Sequence, residues 1–170
     1  SGKGEAAAVA REAGIPVVTM GDVIREACRD RGLDPAEYHG EVAQALRAED
    51  GEAAIAERSL PPVRNALEES ETVLVDGLRS PAEVARFEAA FGDDFVVVSV
   101  EAPFEMRVER LADRDRDASD ADREALRARE ERERGFGMNE VMADADVTVD
   151  NTGSLDAFRA RIRDLLEAEP

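Results

Sequence analysis

Lysine is almost missing from this chain. Lys3 is the only one among 22 basic residues, and the rest are arginine. There is one histidine, one tyrosine, one cysteine and no tryptophan in 170 residues. A single cysteine, Cys28, excludes an intrachain disulfide and fits a reducing cytoplasm. A single histidine, His39, with no cluster of ligand-type residues nearby, argues against an imidazole-based metal centre. No apolar run approaches the ~18 to 20 residues that span a bilayer, and no signal peptide is expected ahead of the globular pattern. Net positive charge is lacking too: 40 acidic residues leave a formal charge of −18. Such a surface repels phosphate backbones and anionic membranes, so neither nucleic acid nor a membrane is expected as a partner.

What remains is an acidic protein of single-domain length, expected to be cytoplasmic. Acidic residues spread along the whole chain, with lysine nearly lost, are the pattern of a salt-loving microbe. There the charge serves solvation and high salt screens its self-repulsion. Alanine supplies much of the apolar content, so the core is expected to be modest.

The first five residues, Ser1, Gly2, Lys3, Gly4 and Glu5, lead directly into an alanine-rich helical segment. They read as the second half of a phosphate-binding loop, in which amides at a helix N-terminus face an anion and a lysine ammonium reaches the outer phosphates. That the one lysine stands there fits the role, because a compact point charge suits the β- and γ-phosphates. The first half of such a loop, with its strand, is expected upstream of Ser1.

Along the chain, residues 2–13 form a helix ending at Gly14, and 15–20 a buried strand. Gly21 and Asp22 open a second helix from Val23 to about Arg31. Asp34 and Pro35 supply an N-cap and N1 for a third, to about Ala48. Residues 51–70 are helical in pattern, with Pro61 and Pro62 breaking or restarting the helix. Residues 72–76 form a strand, Ser80 and Pro81 cap a helix through Phe91, and 95–100 read as a buried strand. A helix is expected over about 103–112. Residues 113–134 are charged and alanine-rich with little to bury. Residues 146–150 form a last strand, and Ser154 caps an amphipathic helix with Leu155, Phe158, Ile162 and Leu165 or Leu166 on one face. Strands alternating with helices predict an α/β fold with a parallel sheet covered on both faces.

In such sheets ligands bind at the carboxyl ends of strands. That rule selects Gly21 and Asp22, Asp76 to Arg79, Glu101 and Ala102, and Asn151 to Gly153. Phosphoryl transfer needs phosphates held in line, charge neutralised and water excluded. Asp76 is placed to hold magnesium or orient an acceptor, or else to cap a turn. Arg25 and Arg79 together fit a clamp on an acceptor phosphate, though each alone suits a surface ion pair. The arginines of 113–134 fit a solvated helix laced with ion pairs, or a lid that supplies cations on closing. Tyr38 and His39 read as structural or acceptor-pocket residues, and Cys28 as a core residue.

These residues resemble the P-loop nucleotide kinases, the relatives of adenylate kinase and dephospho-CoA kinase, and above all their archaeal dephospho-CoA-kinase-like group. Ser1 to Glu5 is similar to the second half of the adenylate kinase loop. Thr19 to Arg25 looks like that family's acceptor segment Gly-Asp-x-x-Arg, and Asp76-Gly77-Leu78-Arg79 resembles its Asp-Gly-Phe-Pro-Arg. Glu109 to Arg114 looks like the start of the lid, while Arg114-Asp115 and residues 145–155 are closer to dephospho-CoA kinase. Three departures stand out: Gly4 replaces a magnesium-binding hydroxyl, Glu5 replaces a threonine, and Arg79 comes one residue early. The stretch 33–59 is unlike either acceptor domain.

The resemblance implies a P-loop NTPase fold, three-layered α/β/α, as a single domain over 1–170 with a helical acceptor-side insertion at 33–70 and an arginine-rich lid at 113–138. It implies ATP and Mg2+ as cofactors and transfer of the γ-phosphoryl group to a nucleoside monophosphate, dephospho-CoA or similar small molecule. Ser1, Gly2, Lys3, Gly4 and Glu5 would bind donor phosphates, and Arg110 and Arg114 would close from the lid. Asp22, Arg25 and Arg79 would bind the acceptor, with Asp76 serving the metal. Lys3, Asp76 and Arg114 are the expected catalytic groups. The other reading is an ATP-binding regulatory module or slow NTPase acting through a protein partner.

Overall fold

The computed structural model describes residues 3–101 and 137–167, together with Glu124, Arg127, Ala128 and Glu131. The expected helix at 103–112, nearly all of the expected lid, and Ser1, Gly2, Arg110 and Arg114 lie outside the described residues. So does the side chain of Lys3.

The first helix, α1 (Lys3–Glu12), turns through a short connection with Gly14 at φ 77° into β1 (Val17–Thr19). The second helix, α2 (Met20–Asp30), follows at once. It buries Met20, Ile24, Ala27 and Cys28, a spacing that lines one face. Gly21 and Asp22 therefore sit inside its first turn instead of in a loop before it. The third helix, α3 (Pro35–Asp50), starts as the sequence predicts: the Asp34 side chain accepts from Ala36 N at 3.0 Å, with proline at N1.

The fourth helix, α4 (Ala54–Glu69), differs from expectation by running unbroken through Pro61 and Pro62. Proline in a helix interior costs about 3 kcal/mol. Packing on both sides of the pair offsets it, since Ile55, Leu60 and Val63 are all buried in the main core. The prolines themselves are exposed, as are Glu57 and Arg58, whose carbonyls lose their helical donors and face water.

The second strand, β2 (Leu74–Asp76), pairs in parallel with β1, Val17 opposite Leu74 and Thr19 opposite Asp76. The fifth helix, α5 (Pro81–Phe91), has the expected Ser80 cap as a full capping box with Glu83. A 3-10 turn at Gly92–Asp94 leads to β3 (Val98–Glu101). Then come a short helix α6 (Met138–Ala143), a strand β4 (Val147–Asp150) parallel to β3, and a last helix α7 (Leu155–Glu167).

The expected single sheet is found as two parallel pairs, β1 with β2 and β3 with β4, with no ladder joining them among the described residues. The valine run 95–100 is not buried on both faces. Val97 and Ser99 are buried on one face; on the other, Val96 and Val98 are 50% and 40% exposed, and only Val100 packs against a core, beside Val149 and Phe158. Leu155 likewise departs from the expected apolar face of α7 and is 58% exposed, while Phe158 and Ile162 are buried. Ser154 Oγ accepts from Ala157 N at 3.1 Å and caps that helix as predicted.

Two cores result. The larger joins α2, α3 and α4 around Leu46, Ile55 and Phe87, with Phe95 stacked on Phe87 at 5.5 Å between ring centroids. The helices of 33–70 thus carry much of the main core. The smaller joins Ala6 and Val9 of α1 to Val149 of β4 and to Phe158 and Ile162 of α7.

Candidate functional site

Helix α1 packs on β1 and β2 and meets β1 through the tight turn at 13–16. The two must run in opposite directions, so the N-terminus of α1 stands at the end where β1 and β2 finish. Its first residue is Lys3. The first amides of a helix have no partners within it and carry a partial positive charge. Beside them Gly4 is exposed, and a Cβ built there would meet nothing within 4 Å. An anion can therefore approach this backbone, as a nucleotide phosphate requires.

The Glu5 carboxylate does not face such an anion freely. It pairs with Arg159 of α7, whose guanidinium also reaches Glu12 in the last turn of α1. Any part Glu5 plays toward phosphate falls to its amide.

A second group gathers around Gly21. Gly77, just beyond Asp76, has φ 107°, and a Cβ there would lie 3.3 Å from Met20 Cβ and 3.9 Å from Gly21 N. Only glycine fits this turn and close approach without strain. The Arg25 guanidinium folds back over Gly21, 3.5 to 3.7 Å from where a Cβ would stand, and pairs with Asp22. The His39 ring, from α3, lies near enough to the Gly21 backbone for that group to act on its titration. Burial lowers the His39 pKa most, and the nearby Arg25 guanidinium adds to this. The Gly21 backbone acts the other way, and Arg79 and Arg47 lower it further. The balance favours the neutral imidazole. The carboxyl ends of β1 and β2 thus bring together Gly21, Asp22, Arg25, His39 and the loop from Asp76 to Arg79.

Arg79 is fixed through its backbone. Its N–H donates to Glu83 Oε1 at 2.9 Å, and Ser80 N donates to the same oxygen at 3.1 Å. Glu83 is 1% exposed, and burial raises its pKa, against the pull of the Arg79 N–H and the charge of Arg47. His39 was left open between two roles by its sequence, and Arg47 and Glu83 were not singled out. For Glu83 a signal existed: Ser80-Pro81-Ala82-Glu83 has the spacing of a capping box. Nothing in the local sequence marks Arg47.

Among the described residues no three His, Cys, Asp or Glu side chains cluster as a metal cage. Magnesium in nucleotide sites is held by one or two protein oxygens plus phosphates and needs no such cage. Asp76 stands at the end of β2, and Gly4 has no side-chain oxygen. Asn151, after β4, is buried, and its N–H donates to Glu101 O at 2.7 Å, which ties the ends of β3 and β4 together. No described helix is long and apolar enough to cross a membrane.

An exposed helix N-terminus at the carboxyl ends of parallel strands is the arrangement of a nucleotide-binding P-loop domain. A family profile described as AAA domain agrees, matching residues 1–127. Within that class the chain belongs to the UPF0200 family of archaeal proteins. It is 60% identical over 169 residues to a UPF0200 protein of the halophile Halobacterium salinarum, covering 99% of this chain and 88% of that protein. It is 48% identical over 167 residues to a UPF0200/UPF0201 protein of Archaeoglobus fulgidus, covering 98% of this chain and 52% of that protein. A UPF0200 protein of Methanosarcina mazei is 42% identical over 167 residues, with 98% and 88% covered.

Proposed function

We propose that this protein is an ATP-dependent phosphotransferase acting on a nucleotide or nucleotide-like acceptor. The observation that carries this reading is the meeting at Gly21 of Arg25, His39 and the Asp76 to Arg79 loop, at the strand ends where α1 begins. A domain that only bound nucleotide would need the α1 amides and Lys3. It would have no use for a second basic pocket built from α2, α3 and the β2–α5 loop.

In this reading the α1 amides and Lys3 bind the donor phosphates, with Arg110 and Arg114 closing over them. Arg25 and Arg79 hold the acceptor's anionic group, Arg25 exchanging its exposed partner Asp22 for the ligand. Asp76 would hold or orient a magnesium ion, which would supply charge neutralisation at the donor phosphates. An acceptor oxygen forms the new bond to the γ-phosphorus as the bond to the bridging oxygen of ADP breaks, and the acceptor's proton leaves to solvent. Positioning and charge neutralisation supply most of the rate.

The test is ADP release from Mg-ATP at high salt, with nucleoside monophosphates and dephospho-CoA offered in parallel. A rate that rises with one acceptor, with product formed in equal amount, is expected. Slow ADP release indifferent to every acceptor would overturn the proposal in favour of a nucleotide-driven switch.

A further inference from the structure

Glu5 stands where a nucleotide phosphate would meet it. It lies in the first turn of α1, close behind Lys3, at the end of the helix whose amides are open to an anion. A carboxylate there has the same sign of charge as the ligand. A glutamate in a first turn can also fold back onto the amides that start its own helix. Left free, Glu5 would compete with a phosphate for the same donors.

The structure ties this carboxylate down from the far end of the chain. Arg159 of α7 donates to Glu5 Oε1 through Nη1 and to Glu12 Oε2 through Nη2. Glu5 and Glu12 are seven residues apart in α1, about two turns, so both fall on the side of the helix that faces α7. Ala6 and Val9 pack there on Phe158 and Ile162. The smaller core therefore sets the place of Arg159 beside α1, and the pairing does not depend on two loose side chains finding each other.

We propose that Arg159 is a positioning residue for nucleotide binding: by holding the Glu5 carboxylate against the flank of α1, it keeps the first-turn amides clear and offsets the charge a phosphate would meet. This rests on the start of α1 being the phosphate-binding end of a P-loop domain, and on neither the acceptor nor phosphoryl transfer. Arg159 acts through Glu5 and not on the ligand.

The test is calorimetric titration of the whole chain with Mg-ATP, at the lowest potassium chloride concentration at which a thermal melt shows each variant folded. Arg159→Gln should weaken binding about threefold to tenfold, with the loss shrinking as salt rises. Adding Glu5→Gln to that variant removes the unheld charge and should return affinity to within about twofold of wild type. Arg159→Lys keeps a cation beside Glu5 and should lose less than Arg159→Gln. A merely structural role would give no such rescue, because Glu5→Gln restores no contact with α7. Unchanged affinity in Arg159→Gln, or equal loss in the single and double variants, would overturn the proposal. The readings separate by outcome. A wild-type chain that binds no Mg-ATP would overturn this proposal together with the nucleotide site at α1, whereas rescue without acceptor-dependent ADP release would support it and sink only the phosphotransferase.

Discussion

The carboxylate of Glu83 holds the backbone N–H of Arg79 at 2.9 Å from inside the core, and so a buried acid sets the position of an arginine at the strand end. Glu83→Ala would leave the N–H groups of Arg79 and Ser80 without their acceptor and remove a capping box. The expected loss is on the order of 2 to 3 kcal/mol, read from denaturant unfolding at high salt. Glu83→Gln keeps the accepting oxygen and should lose less. An unchanged midpoint in Glu83→Ala would show that the loop is held by other contacts.

Lys3→Ala is expected to reduce acceptor-dependent turnover by at least about a hundredfold with no change in melting temperature. Lys3→Arg should not restore it, because a planar guanidinium does not replace a compact ammonium against terminal phosphates. Steady-state kinetics beside a thermal melt decides the matter, and wild-type turnover in Lys3→Ala would remove this residue from the chemistry.

The lowered pKa of His39 makes stability depend on pH in one direction. Below the ordinary histidine value of 6.5 the unfolded chain takes up a proton that the folded one resists, so stability is highest above that pH and falls as pH drops through it. Arg25, Arg47 and Arg79 are the charges that oppose protonation. Unfolding midpoints between pH 7.5 and 6 should decline, and His39→Gln should flatten that slope. A flat wild-type profile would contradict the description of the pocket.

Gly77→Ala should strain the turn after Asp76, since φ is 107° and the new methyl would press on Met20 Cβ at 3.3 Å. A cost of about 1 to 3 kcal/mol is expected. Because the same turn leads to Arg79, the acceptor KM should rise more than kcat falls. A variant with normal stability and normal KM would show that the turn is free to adopt another shape.

Arg159→Ala removes the guanidinium that Glu5 and Glu12 share. The guanidinium bridges two carboxylates, so stability should fall modestly, and more in dilute buffer than at high salt. Equal loss at both ionic strengths would mean that packing of the arginine stem, and not charge, is what matters.

Much of this was legible beforehand where local chemistry decides the structure. Asp34 with Pro35, Ser80 with Pro81, and Ser154 announced three helix starts, because caps act within one turn. Gly21, Arg25, Asp76 and Arg79 could be brought together by the rule that strand ends gather ligands. What failed depended on distant packing. Pro61 and Pro62 signal a break, and only a core holding Leu60 and Val63 overrides it. Val96 and Val98 read as buried by composition, yet burial depends on whether another layer covers that face. Arg47 and the setting of His39 were out of reach for the same reason, since both depend on neighbours on other elements.

The contact between Arg159 and Glu5 joins residues 154 apart in the chain. A ribosome delivers α1 long before α7, so the nascent helix has neither the counter-charge for Glu5 nor Phe158 and Ile162 to cover Ala6 and Val9. The end of the protein at which α1 begins therefore matures only once α7 has been made, although α1 itself is made well before it. Until α7 emerges, apolar surface on α1 stays open to chaperones and to other chains.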